Sequence, residues 1–228
     1  MVTDLSLLSF PFSSPSFLFQ GHHSNFVSVL AGCVMEAAVR EGNVKKLAEL
    51  ITQDPGFRVN LALDGYGAKL LLHACRETDS RSPVLPLLLA HPDIDVNLKD
   101  KDECTPFFFA CGGRTSCARE MLKDSRVKVN EPDNGGSTPL RFAACNGHLD
   151  VIKWWIASGR EMDLGKPEDL DNTNAIGGAK KEGKAEVVAL LERFQSDAAK
   201  TRSEVRKELG ISGRCSPAIF SVPFQNYS

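Results

Sequence analysis

The side chains able to do chemistry in this 228-residue chain are few and widely spaced. His73-x-Cys75 and Cys111-x5-Cys117 are the segments nearest to a metal-ligand pattern, since imidazole and thiolate are the usual zinc ligands. A structural zinc site takes its ligands as short-spaced pairs, and neither segment supplies two of them. His148 is a possible general base, but no nucleophile stands in a recognisable relation to it. The chain has no Gly-x-Ser-x-Gly elbow, no phosphate-binding Gly-Lys-Ser/Thr loop and no His-Glu-x-x-His. The pairs Gly112-Gly113 and Gly177-Gly178 read as turn or helix-packing glycines. Asn226-Tyr227-Ser228 matches a glycosylation acceptor but closes a chain with no credible signal peptide. The expectation is therefore a protein that is not an enzyme and carries no cofactor or metal.

Composition narrows the class further. Lys plus Arg is 27 against 29 Asp plus Glu, so no excess of one sign points to nucleic acid or to an acidic membrane. The seven cysteines (Cys33, Cys75, Cys104, Cys111, Cys117, Cys145 and Cys215) are odd in number and not regularly paired. That fits reduced thiols in a cytoplasmic or nuclear setting better than a disulfide framework. Leu5 to Phe19 is apolar but interrupted by Pro11 and Pro15, with Asp4 where a signal peptide carries positive charge. It is too broken for a membrane span. Residues 1–33 are read as a disordered or non-native extension, with a targeting segment or a misassigned gene start as the alternatives.

The elements that must position everything else are set by a repeat. Val96-Asn97 and Val129-Asn130 are 33 residues apart, as are Thr105-Pro106 and Thr138-Pro139, and Phe109-Ala110-Cys111 and Phe142-Ala143-Ala144. With small insertions the frame extends upstream to Val59-Asn60 with Leu70 to Cys75, and to Glu36-Ala37-Ala38. Downstream it reaches Ala179 and Gly183. Five units follow, at 34–60, 61–97, 98–130, 131–163 and 172–194. Thr before Pro suits a helix start, because the hydroxyl caps free N–H groups and Pro is tolerated in the first turn. The Ala-Ala or Ala-Cys pair is small enough for helices to approach closely. Gly147 suits a helix end with left-handed backbone. Val151, Ile152, Trp155 and Ile156 share one helical face, with Trp155 expected in the core and Trp154 partly exposed. His148 is expected to form a structural hydrogen bond at the start of the second helix.

The segment Ser137-Thr-Pro-Leu-Arg-Phe-Ala-Ala-Cys-Asn-Gly-His-Leu-Asp-Val-Ile resembles an ankyrin repeat, whose period is also 33. The resemblance covers roughly residues 34–194. It implies an all-α solenoid of about five helix-turn-helix units with short β-hairpin-like turns, followed by a charged C-terminal helix over 195–211 and a flexible tail over 212–228. Four departures from the family pattern predict poorer hairpins: Lys69 and Asn174 in place of the capping Thr, Glu103 in place of a turn Gly, and Asp163 in place of the terminal Asn. Cys75 and Cys111 fall at the small buried position that Ala144 fills. Ile94 and Val127 are expected to tuck inward.

The resemblance further implies a monomeric, non-catalytic module that binds another protein through a concave face, with no nucleic acid or membrane as partner. A regulatory inhibitor or localisation subunit for an enzyme or transcription factor is the second reading. Carried over by position, the binding residues are Tyr66 and His73 in the second unit. The third unit gives Lys99, Lys101, Asp102, Cys104 and Phe109, and the fourth Pro132, Asn134, Ser137 and Phe142. His73, Phe109 and Phe142 form a row, which either binds a partner or packs flat against neighbouring helices.

Overall fold

The computed structural model describes residues 23–53, 59–60, 69–165 and 174–211. Tyr66 and the segments 1–22 and 212–228 lie outside them. Among the described residues the chain is all helical, with no strand. Five units each contribute a first and a second helix: α1 (His23–Arg40) and α2 (Val44–Gln53), α3 (Leu70–Arg76) and α4 (Leu85–Leu89), α5 (Pro106–Ala110) and α6 (Thr115–Lys123), α7 (Pro139–Asn146) and α8 (Leu149–Ser158), α9 (Ala175–Lys181) and α10 (Ala185–Ser196). A 3-10 turn over Asp79–Val84 precedes α4, where Pro83 withholds the amide that a regular helix needs. The last element is α11 (Ala198–Glu208).

First helices stack on first helices and second on second. The inner contacts are made by the small pairs: Ala74 and Cys75, Ala110 and Cys111, Ala143 and Ala144 have no solvent exposure. The Cys75 thiol is held well above its usual range by a hydrogen bond with Cys117 and by burial, and burial does the same to Cys111. These thiols stay protonated and act as small apolar side chains. Between the layers, Phe107 meets Trp155 edge-on with ring centroids 4.9 Å apart, and Trp155 donates its indole N–H to the Glu161 carbonyl. Trp154 is half-buried beside the Arg119 guanidinium. Ile94 and Val127 are buried.

Successive units are tied by an asparagine ladder. Asn60 accepts from the Asp95 amide at 2.9 Å, Asn97 from Lys128 at 2.7 Å and Asn130 from Asp163 at 3.2 Å. Asn97 also donates to the Arg126 carbonyl at 2.9 Å. Asp163, which holds the fourth Asn place, cannot donate and accepts instead from its local Gly165 amide.

The other departures behave differently from one another. Asn174 accepts from the Gly177 amide and caps α9 as the threonines at 105 and 138 cap α5 and α7, so the expected weak joint there is well capped. An Asn oxygen is as good an N-cap as a Thr hydroxyl. Lys69 offers no side-chain acceptor and α3 starts uncapped. At the C-terminal end the structure separates two helices where the sequence reading placed a boundary at 195, because Asp197 caps α11 through the Lys200 amide. Helix α11 packs on α8 and α10 through Thr201 and Val205 and ends at Gly210, which has positive φ. At the other end α1 begins at His23, upstream of the unit start at 34. Residues 24–33 contain no proline, so nothing stops a helix from running through them.

The turns between units are hairpin-like fingers built alike. In the third unit the Asp100 amide donates to the Cys104 carbonyl at 3.1 Å; in the fourth, Asp133 to Ser137 at 3.0 Å. The Asp100 carboxylate accepts from the amides of Asp102 and Cys104, and Asp133 from those of Gly135 and Ser137. Gly136 takes left-handed backbone at φ 76°, and Glu103, one period earlier, takes it at φ 59° without being glycine. A Cβ is disfavoured there, so the finger closes at a cost. Replacing Glu103 with Gly should raise unfolding free energy by roughly 0.5–1 kcal/mol, while Gly136→Ala should lower it by about as much. Urea midpoints at constant m-value read both; a destabilised Glu103→Gly protein would contradict the strain.

Candidate partner-binding face

The candidate residues separate into two groups. Lys99, Lys101, Asp102, Asn134 and Ser137 stand on the fingers, whereas His73, Phe109 and Phe142 stand on first helices. The two fingers are joined, since the Asn134 amide donates to the Asp102 carbonyl at 2.9 Å. Lys101, Asp102, Asn134 and Pro132 are exposed. Lys99 is flanked by Glu103 at 3.4 Å and Glu131 at 3.3 Å. Ser137 accepts from the Arg141 guanidinium at 3.2 Å. Cys104 is not available to a partner: it is buried under the finger, and burial with the charge of Asp100 pushes its thiol up to about 12.

On the helices, all three side chains of the row are half-buried. The Phe142 ring stacks on Phe108 at 4.9 Å with 24° between planes. Phe108 itself is buried and meets Phe109 edge-on at 6.3 Å. Phe109 lies under the Arg76 guanidinium, 5.4 Å from ring centroid to Cζ. His73 Nε2 is 4.0 Å from the Glu36 carboxylate. The rings thus pack against one another and remain half-exposed.

Arg76, Phe108 and Arg114 belong to this face and were not among the sequence-derived candidates. Arg76 is one helical turn beyond His73, and that i, i+3 spacing was the available signal. Arg114 is the residue before α6; its guanidinium donates to the carbonyls of Gly112 and Glu77. Gly112 leaves room for this: an added Cβ would come within 2.3 Å of Arg114 Nη1 and 3.1 Å of Phe142 Cε1.

His148 departs from expectation. It sits at the start of α8 but makes no capping hydrogen bond. Its ring instead covers Gly113, where an added Cβ would stand 2.8 Å from Cε1. The flat backbone of the glycine invites ring packing in place of a capping hydrogen bond. Burial and the neighbouring cations Arg114 and Lys184 lower its pKa. Among the described residues no cluster of His, Cys, Asp and Glu is disposed to hold a metal, and no helix is long and apolar enough to cross a membrane.

A two-layered stack of helix pairs joined by fingers defines a helical-repeat solenoid. Residues 71–166 match the family model for ankyrin repeats in three copies, and this part of the chain is an ankyrin-repeat region. It is similar to human SMC5-SMC6 complex localization factor protein 1, 35% identical over 94 residues, which is 41% of this chain and 9% of that protein. It is similar also to the Dictyostelium discoideum 26S proteasome non-ATPase regulatory subunit 10, 31% identical over 75 residues and 32% of each chain. Human transient receptor potential cation channel subfamily A member 1 shares 34% identity over 100 residues, 42% of this chain and 9% of that one. The chain thus spans less than a tenth of two of these proteins and about a third of the other. Ankyrin repeats generally mediate protein–protein interaction.

The His148 shift carries a sign. Its folded pKa lies below the ordinary value of about 6.5, so the unfolded chain binds the proton more readily. This contribution to stability is complete above pH 6.5 and is lost as pH falls from there through the folded pKa. His148→Gln should flatten the fall in melting temperature between pH 7.5 and pH 5, relative to the parent protein; an unchanged slope would remove His148 from the cause.

Proposed function

We propose that this chain is a non-catalytic binding module that receives a partner protein on the face formed by α3, α5, α7 and the adjoining fingers. The observation that carries the reading is the half-buried pair Phe109 and Phe142, linked through Phe108 and accompanied by His73, Arg76 and Arg114. It is preorganised by ring stacking and backbone hydrogen bonds, so little side-chain freedom is lost when a partner docks. Aromatic and Arg side chains also dominate binding energy at protein interfaces. The remaining candidates, Lys99, Lys101, Asp102, Asn134, Ser137 and Tyr66, are assigned to the rim of the same interface.

A role in localising or regulating a larger assembly is favoured by two similarities, to a complex localization factor and to a proteasome regulatory subunit. In that role the module acts in a cytoplasmic or nuclear compartment as a monomer.

Affinity purification with the full chain tests the binding face. Proteins held by the parent chain should be lost, by at least ten-fold in recovered amount, with Phe109→Ala/Phe142→Ala. They should be retained with Lys153→Ala, a change on α8 of the second-helix layer. Melting curves establish that each variant is folded. An identical set of proteins on the parent and the double variant would move the binding face elsewhere.

A further inference from the structure

Several cations of the molecule are matched by carboxylates. Lys99 is flanked by Glu103 and Glu131, Lys123 meets Glu120, Arg126 meets Asp124, Lys153 meets Glu208 and Lys180 meets Glu192. Arg76 and Arg114, beside the aromatic strip, are among the cations that form no ion pair with a carboxylate among the described residues. Arg76 contacts the face of Phe109, and Arg114 contacts backbone carbonyls only.

Several carboxylates of this region accept hydrogen bonds within the frame. Glu77 accepts from the Arg81 guanidinium at 2.6 Å. Asp79 accepts from the amides of Ser116 and Cys117, each at 3.1 Å. Asp100 and Asp133 are turned onto the amides of their own fingers, and Glu103 faces Lys99. Arg76 and Arg114 flank the half-buried aromatic rings without such a partner. Lys184 adds to the local positive charge, since it and Arg114 both act on His148.

We infer that the partner presents an acidic peptide segment to this face, with Asp or Glu side chains meeting Arg76 and Arg114 and an apolar side chain resting on Phe109 and Phe142. A guanidinium offers a fork of donors that matches a carboxylate, and such pairs are stronger than neutral hydrogen bonds. Phe109 under Arg76 adds a surface that holds the guanidinium in place before the partner arrives. Complementary charge then sets the orientation and speeds encounter, while the aromatic contact supplies the desolvated centre. The inference rests on the binding face proposed above and specifies the chemistry of what it takes.

The test is selection of a random 16-residue peptide display library on the immobilised full chain, followed by anisotropy titration of the selected peptides in synthetic, labelled form. Selected sequences are expected to be enriched in Asp and Glu around a Leu, Phe or Trp. Their affinity should fall at least ten-fold with Arg76→Gln/Arg114→Gln, and as much when their acids are changed to Asn and Gln. Both guanidinium changes are on folded surface, and circular dichroism checks each variant; the peptide-side change leaves the chain untouched. Peptides without acidic enrichment, or ones indifferent to both changes but weakened by Phe109→Ala, overturn the acidic assignment and leave the face. Failure to select any peptide, or selection of peptides that bind the Phe109→Ala/Phe142→Ala protein equally well, overturns both. Binding of a 20-residue oligothymidylate that is lost in Arg76→Gln/Arg114→Gln assigns the cations to nucleic acid and also overturns the inference.

Discussion

Every other feature depends on how closely the first helices approach one another. The positions that meet between units are Ala74 and Cys75, Ala110 and Cys111, Ala143 and Ala144, all without exposure. A larger side chain at any of them pushes two units apart along the whole stack, because interiors pack at crystal-like density and do not absorb added volume. Close approach brings Phe108 of one unit onto Phe142 of the next and sets the two fingers near enough for Asn134 to reach Asp102. The aromatic strip is therefore a product of the spacing and not of any single helix, several of which are only five to eight residues long. Helices that short do not hold alone in water and are stable only through packing.

Polar groups then fix the register that packing permits. The asparagine ladder engages backbone groups of the following unit, a position where an unmade hydrogen bond is costly. Asp100 and Asp133 spend their carboxylates on finger amides, and Glu77 and Asp79 on Arg81 and on the start of α6. Arg76 and Arg114 have no carboxylate ion-pair partner among the described residues; they contact the Phe109 ring and backbone carbonyls.

Much of this was legible from spacing. The 33-residue offset identifies the units and the small buried pairs, and it explains the suggestive cysteines as core. What spacing does not register is chemistry shared between residue types. Asn174 caps as well as threonine, although it breaks the Thr-Pro pattern. Asp163 resembles asparagine in shape but lacks the donor that the ladder uses. His148 fits a motif position, yet the open backbone of Gly113 lets its ring pack instead of hydrogen-bonding. Arg76 and Arg114 escaped notice because repeat matching favours residues that recur, and neither has a counterpart in the fourth unit, where Cys145 and His148 stand. The start of α1 at His23 and the break at Asp197 lie outside the periodic frame altogether.

The central claim is that the face built by the stacked first helices is where a partner sits. Hydrogen–deuterium exchange on the full chain, with and without a protein recovered by it, addresses this without altering any residue. The account predicts added protection in peptides covering 70–78, 98–114 and 131–148, with α6, α8 and α11 unchanged. Protection confined to α6, α8 and α11, with the first helices and fingers unaffected, would contradict it.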